Sequence, residues 1–329
     1  MSQTRLTRRS LLAAGSAGLG ALALGRPAHA QTSVAFQLSW LHSVQFAGSY
    51  IAQENGAWAE RGLDVQLLQG GPNAPVEPPV ISGTALMGIS GVDYTAPAVN
   101  EGAPFKIIFV AMQKNPFVVA SLSGAPIERP QDLVGKRIGM ALANMPVLQA
   151  LCTLNDVNID EIELVPTQYT ATPLLSGDVD CLLCWETDLP VAMIIQGAEP
   201  VTMLLADYGY ELHSQCYIAT EESIANRRDE LRALLEGEIA GWTAYREDTD
   251  AAAELTVNKF PDLGLDLETQ KLQAERQVPL MFSDVSDENG FGWWTEESVA
   301  RNIETMKLLG FEVTPDLWDR SILEEIHGA

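Results

Sequence analysis

A cysteine pair and an acidic residue lie close together in the stretch DVDCLLCWETDLP, between Asp178 and Pro190. The spacing of Cys181 and Cys184 is that of a redox motif or of half a metal site. A redox pair would open a helix, whereas the apolar run here predicts a strand, in which the two side chains point to opposite faces and lie roughly 10 Å apart. A disulfide needs Cα atoms within about 7 Å. We therefore expect small buried thiols, and a bridge between Cys184 and Cys216 stays open.

Glu186 follows this predicted strand directly, and a carboxylate just past a buried strand needs a partner. At a cleft, it can accept paired hydrogen bonds from an aminopyrimidine ring. The alternative role is a charge that favours the N-terminus of the helix predicted at TDLPVAMII. Trp185 can pack on a planar ligand or on the core. These two residues are the first candidates for a binding site.

The remaining candidates share one property: each follows a predicted strand or begins a predicted helix, which is where side chains reach a ligand cleft. They are Trp40, Gln45, Phe46, Asn73, Ser90, Asp93, Asn115, Asn144, Asp207 and Tyr208. Trp40 and Phe46 have an alternative role in the core, and Asn73 has one in a Gly-Gly-Pro turn. A cap of the following helix is the favoured role for Asp93. The backbone amides at VQFAG, which opens the first helix, can also bind an anion or a polar ligand edge.

Strands and helices alternate along the chain, which predicts βα units and parallel sheets. The first strand is expected from Val34 to Trp40, and the following segment keeps helical spacing until Gly62. A long amphipathic helix is predicted later in the chain, with one apolar face formed by Leu231, Leu234, Leu235, Ile239 and Trp242. Roughly 300 residues beyond an export signal exceed one small core and predict two lobes.

The first thirty residues have the pattern of an export signal. Arg5, Arg8 and Arg9 precede the apolar run LLAAGSAGLGALALG, and small residues, AHA, end at Ala30. The Arg8-Arg9 pair predicts a twin-arginine signal, with a general secretory signal as the alternative. We expect cleavage after Ala30 and a periplasmic protein. No later stretch is apolar enough for a transmembrane helix, so we do not expect a membrane-embedded chain.

The charge balance excludes one class of partner. The full chain has a net charge of −24, and the first thirty residues hold four of its 20 basic residues and none of its 44 acidic ones. The chain beyond them therefore carries −28. Such a surface repels phosphates, so no nucleic-acid partner is expected.

Five blocks of sequence together resemble the solute receptors of ABC importers. They are SWLHSVQFAGSYIAQENGAWAERGLDVQLLQGG, ISGTALMGIS, PQDLVGKRIGMA, LLSGDVD and IATEESIANRRDELRALLEG, in that order. The branch that they most resemble binds thiamine-pyrimidine precursors, and relatives of that branch take riboflavin, nitrate or sulfonates. In this branch a Glu stands six residues after an Asp, as Glu186 stands after Asp180.

The resemblance implies an α/β fold of the two-lobed periplasmic binding protein type (type II). Each lobe would be a mainly parallel sheet flanked by helices, with the ligand cleft between the lobes. The first lobe is expected at residues 31–121 and 218–329, and the second at residues 122–217. The implied partners are a small heteroaromatic ligand and an ABC transporter permease, and we expect a monomer. A hydroxymethyl-aminopyrimidine is the leading ligand, riboflavin or another flat ring the second, and nitrate or a sulfonate the third.

An enzyme is the contrasting class, because fungal pyrimidine synthases resemble this chain as well. Their branch has a His two residues before the Gly of the first helix, where this chain has Phe46. It also has a Cys-rich run, where LHSQCYIAT contains only Cys216. The sequence contains no Ser-His-Asp motif, phosphate loop or His-Glu-x-x-His. We therefore expect a protein that is not an enzyme, without catalytic residues, cofactor or metal site.

Overall fold

The computed structural model describes residues 31–71 and 74–328. The predicted export signal, its cleavage after Ala30 and the candidate Asn73 lie outside these residues and stay predictions.

Helices and strands alternate through the first two thirds of the described chain, and helices form the rest. The strands are β1 Thr32–Gln37, β2 Leu63–Leu68, β3 Met87–Ser90, β4 Phe105–Met112, β5 Phe117–Leu122, β6 Arg137–Met140, β7 Glu163–Pro166, β8 Cys181–Trp185, β9 Pro200–Leu204 and β10 Ser214–Thr220. The α-helices are α1 Ala47–Glu54, α2 Ala57–Glu60, α3 Glu77–Ile81, α4 Val92–Asn100, α5 Met145–Leu154, α6 Thr172–Leu175, α7 Leu189–Ile195, α8 Glu221–Asn226, α9 Arg228–Glu247, α10 Thr249–Lys259, α11 Leu267–Met281, α12 Asp284–Asn289, α13 Glu296–Leu308 and α14 Ser321–His327. Short 3-10 helices occur at Val44–Phe46, Pro130–Leu133, Leu142–Asn144, Ile159–Glu161, Leu205–Tyr208, Pro261–Leu263 and Pro315–Leu317.

The strands form two five-stranded sheets with the same internal arrangement. The order is β2-β1-β3-β10-β4 in the first sheet and β7-β6-β8-β5-β9 in the second. In each sheet the fourth strand pairs antiparallel with both neighbours, and the other pairings are parallel. Four of the five strands therefore run in one direction, which confirms the mainly parallel sheets of the predicted two-lobed α/β fold.

The reversed strand of each sheet is the strand that follows a crossing between the sheets. The chain leaves the first sheet after β4, enters the second with β5, and returns with β10. The lobe limits predicted at 121/122 and 217/218 fall inside β5 and β10. The assignment of the remaining segments to lobes stays a prediction.

Two predicted elements end earlier than the sequence indicates. β1 stops at Gln37 instead of Trp40, and the buried Gln37 amide donates to the carbonyl of Leu38 (2.9 Å) at this end of the strand. The helical segment expected to continue to Gly62 divides into α1 and α2. Gly56 lies between them with φ at +79°, a left-handed conformation that interrupts the helix.

Helix α9 packs its predicted apolar face against the first sheet and against α1. Leu231, Leu234, Leu235 and Trp242 are fully buried. The helix backbones approach so closely that a Cβ on Gly241 would lie 2.0 Å from the carbonyl oxygen of Gly48. Glycine at these contacts therefore sets the separation of the two helices.

A carboxyl group, Glu238, is fully buried on the same helix. One of its oxygens, Oε2, accepts hydrogen bonds from the Tyr217 hydroxyl (2.6 Å) and the Trp242 indole N–H (2.9 Å). The other, Oε1, has no hydrogen-bond partner among the described residues. Burial raises the pKa of Glu238 to about 7, because the charged form is poorly solvated there.

We predict that Glu238 makes the free energy of unfolding depend on pH. Its folded pKa lies above the ordinary value of 4.5, so the folded protein binds the proton more tightly than the unfolded chain does. The contribution of Glu238 should fall by about 3 kcal/mol as the pH rises from about 4.5 to about 7. Urea unfolding of Glu238→Gln at several pH values should lack this fall. The exposed Glu247→Gln on the same helix is the control, and parallel curves for wild type and Glu238→Gln would contradict the prediction.

Candidate functional site

Glu186 lies directly after β8, beside the point where the chain crosses into the second sheet. Its backbone N–H donates to the carbonyl of Pro116 (2.9 Å), which immediately precedes β5. Its side chain forms an ion pair with Arg276 on α11, between Oε1 and Nη1. The carboxylate therefore bridges the second sheet and a helix from the C-terminal part of the chain.

Helix α11 lies between the opening of the first helix and the second sheet's helix α7. It packs against α7 on one side and against the Val44–Phe46 turn on the other. Gln270 accepts the backbone N–H of Val44 (2.7 Å), and Gln277 donates to the carbonyl of Gln45 (3.4 Å). The Val44 amide at the start of the first helix is thus satisfied by protein, whereas the sequence pointed to it as an anion-binding group.

Only one of the two carboxylate oxygens of Glu186 has a partner. Oε1 pairs with Arg276, while Oε2 is buried with no hydrogen-bond partner among the described residues. Burial raises the pKa of Glu186, and the neighbouring Arg276 and the Thr202 hydroxyl oppose this shift. The side chains of Glu186 and Arg276 are 15% and 27% exposed. A buried acceptor without a partner is costly, so this oxygen is suited to a donor supplied from outside the chain.

An aromatic group adjoins Glu186. The Trp185 ring contacts Phe117 edge to face, with 6.2 Å between ring centroids. The Trp185 backbone N–H donates to the Tyr169 hydroxyl (3.1 Å), which in turn donates to Asp188 (2.9 Å). Burial raises the pKa of Asp188, while the Tyr169 hydrogen bond acts in the opposite direction. Sequence reasoning missed Tyr169 because it lies in a loop, well separated from the strand that it supports.

A second polar group lies at the end of β3 in the first sheet. Ser90 donates to Glu77 with an oxygen–oxygen distance of 2.6 Å. Asp93 lies in the first turn of α4, two residues after the N-cap Gly91, and its carboxylate accepts backbone hydrogen bonds from this turn, at Asp93 and Tyr94. Burial, and then the negative charge of Glu77, raise the pKa of Asp93 to about 6.

Asn115 connects the two crossing segments. Its amide N–H donates to the carbonyl of Leu212 (3.2 Å), and its amide oxygen accepts the backbone N–H of Phe117 (3.1 Å). Asn115 and Asp207, which forms an ion pair with Lys114, line a cavity of about 330 Å³ beside these segments. None of the residues lining that cavity belongs to the group around Glu186.

The other candidates differ in exposure and in the partners of their side chains. Phe46 is fully buried, as its core alternative requires, whereas Trp40 is 46% exposed. Asn144 precedes α5 without a capping hydrogen bond from its side chain. Tyr208 donates its hydroxyl to the carbonyl of Glu128 (2.7 Å). Gln45 lines a small cavity together with Thr187 and Asp188, which directly follow Glu186. Ligand contact by each candidate stays a prediction.

The cysteines are buried free thiols. Cys181 and Cys184 lie in strand β8 and pack in different core clusters, so their side chains face opposite sides of the sheet. Cys184 and Cys216 belong to different sheets and are not bridged. Burial raises the pKa of each of these three thiols, which keeps them protonated and unreactive.

Across the part of the chain that the structure describes, no helix combines the length and apolar character needed to cross a membrane. Within the same residues, no cluster of three or more His, Cys, Asp or Glu side chains is arranged to hold a metal ion.

Residues 43–252 match the family described as NMT1/THI5 like. The chain belongs to this family. The match spans both crossings and ends before α11, so Arg276 lies outside it.

Three similar proteins illustrate the range of the family. The riboflavin-binding protein RibY of Chloroflexus aurantiacus is 24% identical, over 86% of this chain and 82% of its own. A formylaminopyrimidine-binding protein of Halalkalibacterium halodurans is 21% identical, over 81% and 82%. The 4-amino-5-hydroxymethyl-2-methylpyrimidine phosphate synthase of Schizosaccharomyces pombe is 26% identical, over 61% and 62%.

The fold is that of a solved binding protein. The periplasmic aliphatic sulphonate binding protein SsuA of Escherichia coli superposes with a TM-score of 0.64 at 15% identity. The superposition covers 84% of this chain and 91% of SsuA. The expected periplasmic binding protein fold is thereby confirmed.

We predict that Asn115 stabilises the crossing. Asn115→Ala leaves the Leu212 carbonyl and the Phe117 N–H without their partner, which should cost about 1–3 kcal/mol of unfolding free energy. Asn144→Ala removes a side chain that makes no capping hydrogen bond and should cost less than about 0.5 kcal/mol. Urea unfolding measures both. Equal effects of the two substitutions, or unchanged stability of Asn115→Ala, would contradict the assignment.

Proposed function

We propose that the protein is the solute-binding receptor of an ABC importer for a small, flat heteroaromatic solute. The preferred ligand is a hydroxymethyl-aminopyrimidine or a close relative. The observation that carries this proposal is the buried, unpartnered Oε2 of Glu186 at the end of β8. An exocyclic amine is a donor that matches such an oxygen, and Trp185 beside it offers an aromatic surface for the ring.

Capture would proceed by closure of the two lobes about the crossing segments. The Glu186–Arg276 pair joins the second sheet to α11. A ligand bound beside this pair would therefore contact both the second sheet and α11. A ligand favours the closed form only by binding it better than the open form. The closed receptor would then dock on a membrane permease as a monomer. This role agrees with export to the periplasm through the twin-arginine signal expected in the first thirty residues.

Riboflavin or another flat ring is the second candidate ligand, because a riboflavin-binding protein is among the most similar relatives. A small anion such as nitrate or a sulfonate is less well supported. Among the described strands none has an arginine at its carboxyl end. Arg276 lies near the proposed site, but its charge is already paired with Glu186. An anion would therefore have to displace a carboxylate.

An enzyme remains the contrasting proposal, because three of the similar proteins are named pyrimidine phosphate synthases. The Cys216 thiol is fully buried, with a pKa raised by burial, and so is poorly suited to chemistry. Product formation on incubation with a vitamin B6 cofactor and iron would support the enzyme over the receptor.

We predict that a hydroxymethyl-aminopyrimidine raises the melting temperature of the purified protein. A ligand that binds the folded state alone stabilises it by about 2.7 kcal/mol at one hundred times its dissociation constant. The panel is the aminopyrimidine, its formylamino relative, riboflavin, nitrate and an alkanesulfonate, each measured by differential scanning fluorimetry. A shift with riboflavin alone would favour the second ligand, and a shift with an anion alone would overturn the heteroaromatic class.

We predict that Glu186→Gln weakens binding of the aminopyrimidine by about 10-fold or more. A hydrogen bond to a charged acceptor contributes about 1.5–3 kcal/mol of binding free energy, and one to a neutral amide contributes less. The control is Glu275→Gln, the same chemical change at an exposed position next to Arg276 on α11. Isothermal titration calorimetry measures both variants, with circular dichroism to establish that each is folded. Unchanged affinity in Glu186→Gln would remove this residue from the site.

A further inference from the structure

We propose that Arg276 sets the charge selectivity of the site, so that the protein takes neutral heteroaromatic ligands and rejects permanently cationic ones. This inference rests on the proposed function and assigns a role to a residue outside the region matched by the family. Arg276 is a specificity-determining residue that acts through Glu186.

The first step concerns the two oxygens of the Glu186 carboxylate, which have different surroundings. Arg276 occupies Oε1, and Oε2 remains buried and unpaired. A ligand amine that reaches Oε2 therefore meets a carboxylate whose negative charge is already balanced by a guanidinium. A neutral donor gains a charge-assisted hydrogen bond there, and a cation gains little more because Arg276 repels it.

The second step concerns the other charges near the pair. Arg276 is the charged group that lowers the pKa of Glu186 against the effect of burial. Asp188, two residues along, accepts the Tyr169 hydroxyl, and burial raises its pKa. Without Arg276, Glu186 would either take up a proton and lose an acceptor or attract a cation to replace the guanidinium. Arg276 keeps the carboxylate ionised while cancelling its attraction for cations.

The third step concerns how the contacts of α11 position Arg276. Gln270, six residues before Arg276 on α11, accepts the backbone N–H of Val44. Gln277, the residue after Arg276, donates to the backbone carbonyl of Gln45. These contacts hold α11 on the first sheet's side while Arg276 reaches across to Glu186. If α11 belongs to the first lobe, as the predicted lobe limits have it, the guanidinium would come from the lobe opposite Glu186 and would meet the carboxylate on closure. Charge selection would operate in the closed form that the ligand stabilises.

The test compares two probes that differ in charge. One is 4-amino-5-hydroxymethyl-2-methylpyrimidine, which is neutral at pH 8, and the other is its ring N-methylated pyrimidinium cation. Calorimetry gives both affinities for wild type, Arg276→Gln, Arg276→Lys and the exposed control Arg232→Gln. We expect wild type and Arg232→Gln to prefer the neutral probe. The ratio of the affinity for the neutral probe to the affinity for the cationic probe should fall by about 10-fold or more in Arg276→Gln. Arg276→Lys should retain most of the preference for the neutral probe.

The outcomes separate this inference from the proposed function. If wild type binds the neutral probe but the ratio is the same in Arg276→Gln, the role of Arg276 is overturned and the proposed function stands. If wild type binds neither pyrimidine, both the leading ligand and the role of Arg276 are overturned. Because N-methylation removes the same ring acceptor in every variant, a change in the ratio reports charge and not the lost hydrogen bond.

Discussion

The reversed strand inside each sheet is the constraint on which the remaining structure depends. β5 and β10 both follow a crossing between the sheets. β10 lies in the first sheet and β5 in the second, and each is the one described strand of its sheet that runs antiparallel to its neighbours. Asn115 bonds both crossing segments, which ties the outgoing and returning chain together. The same crossing places Pro116 against the backbone of Glu186. The connection between the sheets and the candidate site therefore share one short stretch of chain.

A helix from the C-terminal part of the chain completes the site. α11 is anchored beside the first helix through Gln270 and Gln277, and it packs against α7. This position brings Arg276 to Glu186, at a separation of 90 residues in sequence. The ion pair occupies one carboxylate oxygen and leaves the other without a partner among the described residues, and we propose that it also balances the charge that would otherwise attract cations. Positioning and selectivity thus come from the same helix.

Glu238 and Glu186, two glutamates with raised pKa, have surroundings that differ in a way that separates structure from proposed function. Glu238 is fully enclosed and is bonded to Tyr217 and Trp242, so its raised pKa affects stability. Glu186 lies at a strand end, faces a basic side chain from another element, and keeps slight exposure. Burial raises the pKa of both, but only Glu186 has a guanidinium that opposes the shift. An unpaired oxygen beside such a partner suits ligand recognition better than one enclosed in a core.

The sequence by itself determined the alternating strands, the opposite orientation of Cys181 and Cys184, and the position of Glu186 at a strand end, because these follow from local periodicity. Only the tertiary structure decided that Phe46 is buried, that β5 and β10 exchange sheets, and that Arg276 neutralises Glu186. Periodicity repeats over a few residues and is visible in any short window. A contact between residues 90 positions apart depends on how whole helices and sheets pack, which no short window contains.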